Sequence, residues 1–122
     1  MTLRELEAEF IRYDRSPEGR EVYTYIESLA EAQGIVFLCP LCFGKNNGPV
    51  GTHSVVISFD GKGVPEDQGS HNSSGQPFRW SIIGGTGLDD LQLSPSIHLD
   101  TSTCKWHGFV GNSSGVPPGH AQ

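Results

Sequence analysis

Apolar positions in the first third of the chain recur at helical spacing. Leu3, Leu6 and Phe10 are three and four residues apart and trace one stripe. Thr2 followed by Glu5 matches the capping box, in which each side chain satisfies a free N–H at a helix start. Ser16-Pro17-Glu18 reads as a second helix start, serine as cap and proline in the first turn. Val22, Ile26, Leu29 and Ala30 would give that helix its buried face, and Gly34 its stop. Beyond Gly34 the pattern shortens to β-like runs at 35–38, 52–59, 78–83, 91–99 and 108–110. Segment 60–77 carries DGKG, EDQGSHNSSG and two prolines and reads as a long mobile loop. The expected fold class is therefore α+β, with two N-terminal helices on a small, mainly antiparallel, zinc-bound β-sheet. The expected organisation is a helical segment at 1–34, a zinc-bound β domain at 35–112 and an unstructured tail at 113–122.

Composition explains why such a chain would need a staple. Only 35% of its 122 residues are hydrophobic, while 16 glycines and 8 prolines commit much of it to loops, so its core is thin. A formal net charge of −6 argues against nucleic acid as a partner, because phosphate-backbone binding needs a basic surface. No apolar run approaches the roughly 20 residues that span a bilayer, so no membrane partner is expected. MTLRELEAEF alternates charges and lacks the apolar segment of a secretory signal, which points to the compartment of synthesis. Three cysteines, an odd number, fit a reducing cytoplasm better than a disulfide framework.

Those cysteines carry the strongest chemical signal. Cys39-Pro-Leu-Cys42 follows one apolar run, and Cys104-Lys-Trp-His107 precedes another. Together they offer three thiolates and one imidazole, the tetrahedral set that Zn²⁺ favours, and they use every cysteine present. The expected metal ligands are Cys39, Cys42, Cys104 and His107, and the expected cofactor is Zn²⁺. A site closed by four protein ligands holds structure and leaves no position for a reacting water. Three thiolates against a dication leave about one negative charge, which Lys45 and Lys105 are placed to offset. Substitution of Cys42 or His107 is expected to unfold the protein. Three alternatives stand beside this reading. Buried structural thiols are one; a redox C-x2-C pair, which would need a βαβ setting that the pattern lacks, is another. A ligand set recruiting His53 or His98, with an open catalytic metal, is the third.

A second constellation lies on 91–100. Period-two alternation places Leu91, Leu93, Ile97 and Leu99 on one face, and Ser94, Ser96, His98 and Asp100 on the other. These are the residue types of a serine hydrolase, but neighbours on one strand face stand about 6.5–7 Å apart, beyond hydrogen-bond reach. A base would have to come from elsewhere. The catalytic candidates are Ser94 or Ser96 as nucleophile and His53 as base, although His53 shares a face with Val55, Ile57 and Phe59 and is expected to point coreward. Asp89 and Asp90 would orient that base or cap a turn, and Gly84, Gly85 and Gly87 would offer N–H groups to an oxyanion. Trp80, Trp106 and Phe109 read as core around the metal. A solvated strand face remains the plainer interpretation of the serines.

The blocks CPLCF, GPVGTHSVVISF, GTGLDDLQLSPSI and CKWHGFVGN together resemble a family of small phage and bacterial domains of unknown function. The resemblance covers roughly residues 35–112 and leaves the N-terminal segment outside. It implies a zinc-bearing domain and, for a phage-encoded chain, the host cytoplasm. Some relatives are associated with bacterial ubiquitin-like conjugation operons, where a serine-protease role has been proposed. Two functions follow as expectations. The first is a phage-type zinc-binding accessory protein that acts by binding a protein partner. The second is a zinc-stabilised serine hydrolase or peptidase.

Overall fold

The computed structural model describes residues 2–72, 74–100, 104–108, 110 and 120–121. Antiparallel strands dominate it. Strands β1 (Glu9–Arg15), β2 (Glu21–Ile26), β3 (Gly34–Leu38) and β4 (Ser54–Ser58) form one sheet in the order β2-β1-β3-β4. Strands β5 (Ser81–Gly84) and β6 (Gln92–Ser94) form a second, and β7 (Ile97–Asp100), β8 (Lys105–Gly108) and β9 (His120–Ala121) a third, ordered β7-β8-β9. The one α-helix among the described residues is α1 (Pro40–Asn46), with a 3₁₀ turn at Leu29–Glu31.

The two expected N-terminal helices are not there. The Thr2 hydroxyl does accept the Glu5 N–H at 3.1 Å and donates to the Glu5 carboxylate at 3.3 Å, so the Thr2 half of the capping box forms. The turn it starts ends at once, because Glu7 adopts a left-handed φ of 56° and the Ala8 N–H closes back on the Leu3 carbonyl at 3.0 Å. Leu3, Leu6 and Phe10 are buried all the same. Ser16-Pro17-Glu18-Gly19 is the reversal of a hairpin, not a helix cap. The Gly19 N–H donates to the Ser16 carbonyl at 2.8 Å, and β1 and β2 then pair without interruption from Arg15↔Glu21 to Phe10↔Ile26. Val22, expected to be buried, is 40% exposed, and Gly34 opens β3 where it was expected to stop a helix.

The core runs through all three sheets. Ile35, Phe37, Ile57, Phe59, Leu93, Ile97 and Trp106 belong to one buried cluster, and Phe37 meets Trp106 edge-on with ring centroids 6.3 Å apart. Trp80, also buried, joins β4's sheet to the next through a bridge with Phe59. The 60–77 segment has little regular structure but is tied down. The Ser70 hydroxyl donates to the Val56 carbonyl, and the Arg79 guanidinium donates to the carbonyls of Pro65, Gln68 and Ser70. Phe109 and the expected tail, apart from 120–121, lie outside the described residues. No helix of the described residues is long and apolar enough to cross a membrane.

Gly34 gives the fold a sharp test. A Cβ there would lie 2.5 Å from the Ile57 carbonyl oxygen and 3.3 Å from the Ile11 side chain, between two hydrogen-bonded neighbours of a central strand. Gly34→Ala is expected to destabilise the protein by about 1–3 kcal/mol, as overpacking of a core does. A urea titration with an unshifted midpoint would contradict it.

Candidate functional site

Two separately stabilised segments bring the thiols together. Cys39 ends the apolar run of β3 and caps α1, with Pro40 at the first helical position. The chain therefore turns helically between Cys39 and Cys42, and both sulfurs approach Cys104, which directly precedes β8. The Cys39 and Cys42 sulfurs lie 3.7 and 3.4 Å from that of Cys104. A tetrahedral ion with metal–sulfur bonds near 2.3 Å sets its sulfurs about 3.8 Å apart, whereas a disulfide needs about 2.05 Å. The separations thus fit thiols around a shared centre.

The fourth group is a histidine, but not the expected one. Among the described residues, Cys39, Cys42, His53 and Cys104 bring one ligand atom each to within 4.8 Å of all the others. His53 stands just before β4, and its carbonyl accepts the Cys39 N–H at 2.9 Å, which ties its loop to the cysteine knuckle. It is exposed and does not enter the core with Val55, Ile57 and Phe59. His107 lies elsewhere: its Nε2 is 2.9 Å from the Ser96 hydroxyl. The physical reason is strand geometry. Successive side chains on a strand alternate faces, so residues three apart at Cys104 and His107 turn to opposite sides. The same spacing converges only where the chain turns helically, as it does at Cys39 and Cys42.

Electrostatics suits a cation. Burial pushes the Cys104 thiol up to about 12, and its two sulfur neighbours add to that shift. Burial also raises Cys39, while the backbone N–H groups of Cys42 and Leu41 pull the other way by favouring its thiolate. A bound dication removes the penalty by neutralising the thiolates it gathers. Cys42, Lys45, Asn46, Gly51, His53 and Cys104 line a cavity of about 330 Å³, so Lys45 stands where the surplus negative charge needs it. The donor set is that of a structural zinc site, four protein ligands with three soft sulfurs.

Ser96, exposed, directly precedes β7 and meets His107 on the neighbouring strand. His98, in register with His107, stacks at an angle beside it with ring centroids 5.2 Å apart. The Trp80 indole N–H donates to the Ser96 carbonyl at 3.4 Å. Ser94 sits instead in β6, in register with Ser81. The remaining candidates have other duties. Asp90 accepts the Thr86 and Gly87 N–H groups at 2.8 and 2.9 Å, which holds its carboxyl below the usual range and caps the β5–β6 turn. The Gly87 N–H is thereby occupied and offers nothing to an oxyanion. Asp89 pairs with Arg4 at 2.6 Å.

No protein-family model matches this chain, and no curated protein or solved structure is significantly similar to it. Fold and site define it on their own terms as a mainly antiparallel β protein with a Cys₃His cluster fit to hold a metal ion.

Proposed function

We propose that this chain is a zinc-stapled serine hydrolase of the acyl-transfer class, with Ser96 as nucleophile and His107 as base. The observation that carries it is the 2.9 Å contact between an exposed serine hydroxyl and an imidazole Nε2. That is hydrogen-bond reach, which the polar strand face alone cannot supply. His107, with its Nε2 unprotonated, accepts the Ser96 proton as the hydroxyl oxygen adds to a carbonyl. The same proton then passes to the leaving group, and a water activated by His107 frees the acyl chain from Ser96. His53, the base expected from sequence, belongs to the metal cluster in this reading. Zinc takes no part in the reaction; it fixes Cys104, which directly precedes β8 and stands three residues before His107. CPLCF, GTGLDDLQLSPSI and CKWHGFVGN resemble a phage and bacterial family of unknown function. The association of some of its relatives with ubiquitin-like conjugation operons makes a peptide or isopeptide the substrate of choice in this reading.

A fluorophosphonate probe tests this directly. Labelling is expected on Ser96 by peptide mapping, absent in Ser96→Ala and retained in Ser94→Ala. Labelling of the native protein no greater than that of heat-denatured protein would leave the other expectation, an accessory protein that acts by binding alone.

A further inference from the structure

A separate feature, independent of the hydrolase reading, lies at the far edge of the four-stranded sheet. Among the described residues, strand β2 is terminal and pairs with β1 alone, which leaves the outer side of its backbone without a strand partner. Natural sheets blunt such edges with proline, lysine, bulges or cover. Glu21–Ile26 has none of these devices in its sequence or register: EVYTYI contains neither proline nor lysine, and its six pairs with β1 run unbroken. Residues 21–25 are all exposed, and Tyr23 and Tyr25, 40% and 63% exposed, lie side by side with ring centroids 6.1 Å apart. β-branched and aromatic residues are those best suited to cross-strand packing. An edge left open with such a surface is a template for another strand.

The surroundings choose the occupant. Where β2 ends, a cavity of about 750 Å³ opens between Phe10, Tyr25, Ile26 and the side chains of Glu7, Glu9 and Glu27. The cation among its described lining residues, Arg4, is matched by Asp89. Among the described residues, no ion pair engages the three glutamates. A second copy carries the same net charge of −6 and has no cationic cluster in β2 to offer these carboxylates. A basic strand meets the opposite field.

We propose that β2 is a docking edge for an extended, lysine- or arginine-bearing segment of a partner protein. The segment adds as a fifth strand, with a cationic side chain reaching the glutamate-lined cavity. The backbone ladder supplies affinity and the carboxylates supply selection.

Amide hydrogen exchange on the full chain tests this, with a short peptide of alternating lysine and valine as probe and its glutamate–valine counterpart as control. The expected result is new protection at residues 21–26 with the basic peptide only, and binding that weakens with salt. The double variant Glu9→Lys, Glu27→Lys, both at exposed positions, is expected to bind about tenfold more weakly or worse. Tyr25→Lys, which adds an edge guard, is expected to reduce protection without a change in Tm. Three outcomes overturn the proposal: no protection at 21–26, equal binding of both peptides, or a β2 already protected in a dimer seen by sedimentation.

Discussion

Cys104→Ser is expected to cost the protein its metal and its cooperative fold together. Cys104 is buried, and its sulfur is the one that both Cys39 and Cys42 approach. It joins parts of the chain 65 residues apart and fixes the start of the strand that carries the buried Trp106. Structural zinc contributes about 10–16 kcal/mol of apparent binding energy in small zinc domains. Whole domains are stable by only about 5–15 kcal/mol. A chain with so few hydrophobic residues has no core in reserve to absorb that loss. Elemental analysis is expected to find about one zinc per wild-type chain and little in the variant. Trp106 emission is expected to shift red as the core opens, and chelator is expected to reproduce this in the wild type. The wild-type Tm should rise with free zinc, since a ligand that binds only the native state stabilises it by mass action.

The sign of the pH dependence follows from the same thiol. Without metal, the folded state holds the Cys104 proton more tightly than the unfolded chain does, about 12 against 9.0. That contribution is complete below pH 9 and is lost as pH rises toward 12. Metal binding has the opposite sense, because it displaces thiol protons, so zinc affinity rises with pH. A Cys104→Ser protein with wild-type Tm and no bound metal would remove the staple from the account.

Some of this was legible in the sequence and some was not, for reasons that particular residues make plain. The thiols were legible, because cysteines are scarce and their spacing is chemical. Strands β3 and β4 were legible from their apolar, β-branched runs. The N-terminal hairpin was misread because Leu3, Leu6 and Phe10 satisfy helical spacing while Phe10 also serves as a strand residue. What decides between them is the pairing of Phe10 with Ile35 and Ile26, and no local window contains it. One signal was available: in Ser16-Pro17-Glu18-Gly19, serine, proline and a fourth-position glycine are also the marks of a type I turn. The run EVYTYI after it favours strand by propensity. At the site, a two-residue gap was taken to bring ligands together wherever it occurs. It does so on a helical turn and fails beside a strand, and the C-x2-H pair, read by spacing alone, points to His107 as the ligand and leaves His53 only as the alternative. The fold places His53 with the three thiols and His107 beside Ser96.

That placement makes the sharpest prediction about chemistry. His107→Ala is expected to retain about one zinc and a Tm within a few degrees of wild type, while fluorophosphonate labelling of Ser96 falls by about 10²–10⁴-fold, the usual effect of losing a general base. His53→Ala is expected to do the reverse. Its zinc affinity and Tm fall, yet with zinc in excess the labelling rate of Ser96 recovers, because His107 and Ser96 still meet across the strands. Cysteine offers an independent check, since His53→Cys preserves a four-ligand zinc site, of the all-thiolate kind, and is expected to restore Tm. His107→Cys has no reason to do so and is not expected to label. If His107→Ala strips the metal while His53→Ala leaves it bound, the ligand set is the C-x2-H pair after all. The 2.9 Å contact with Ser96 would then be a hydrogen bond without a reaction.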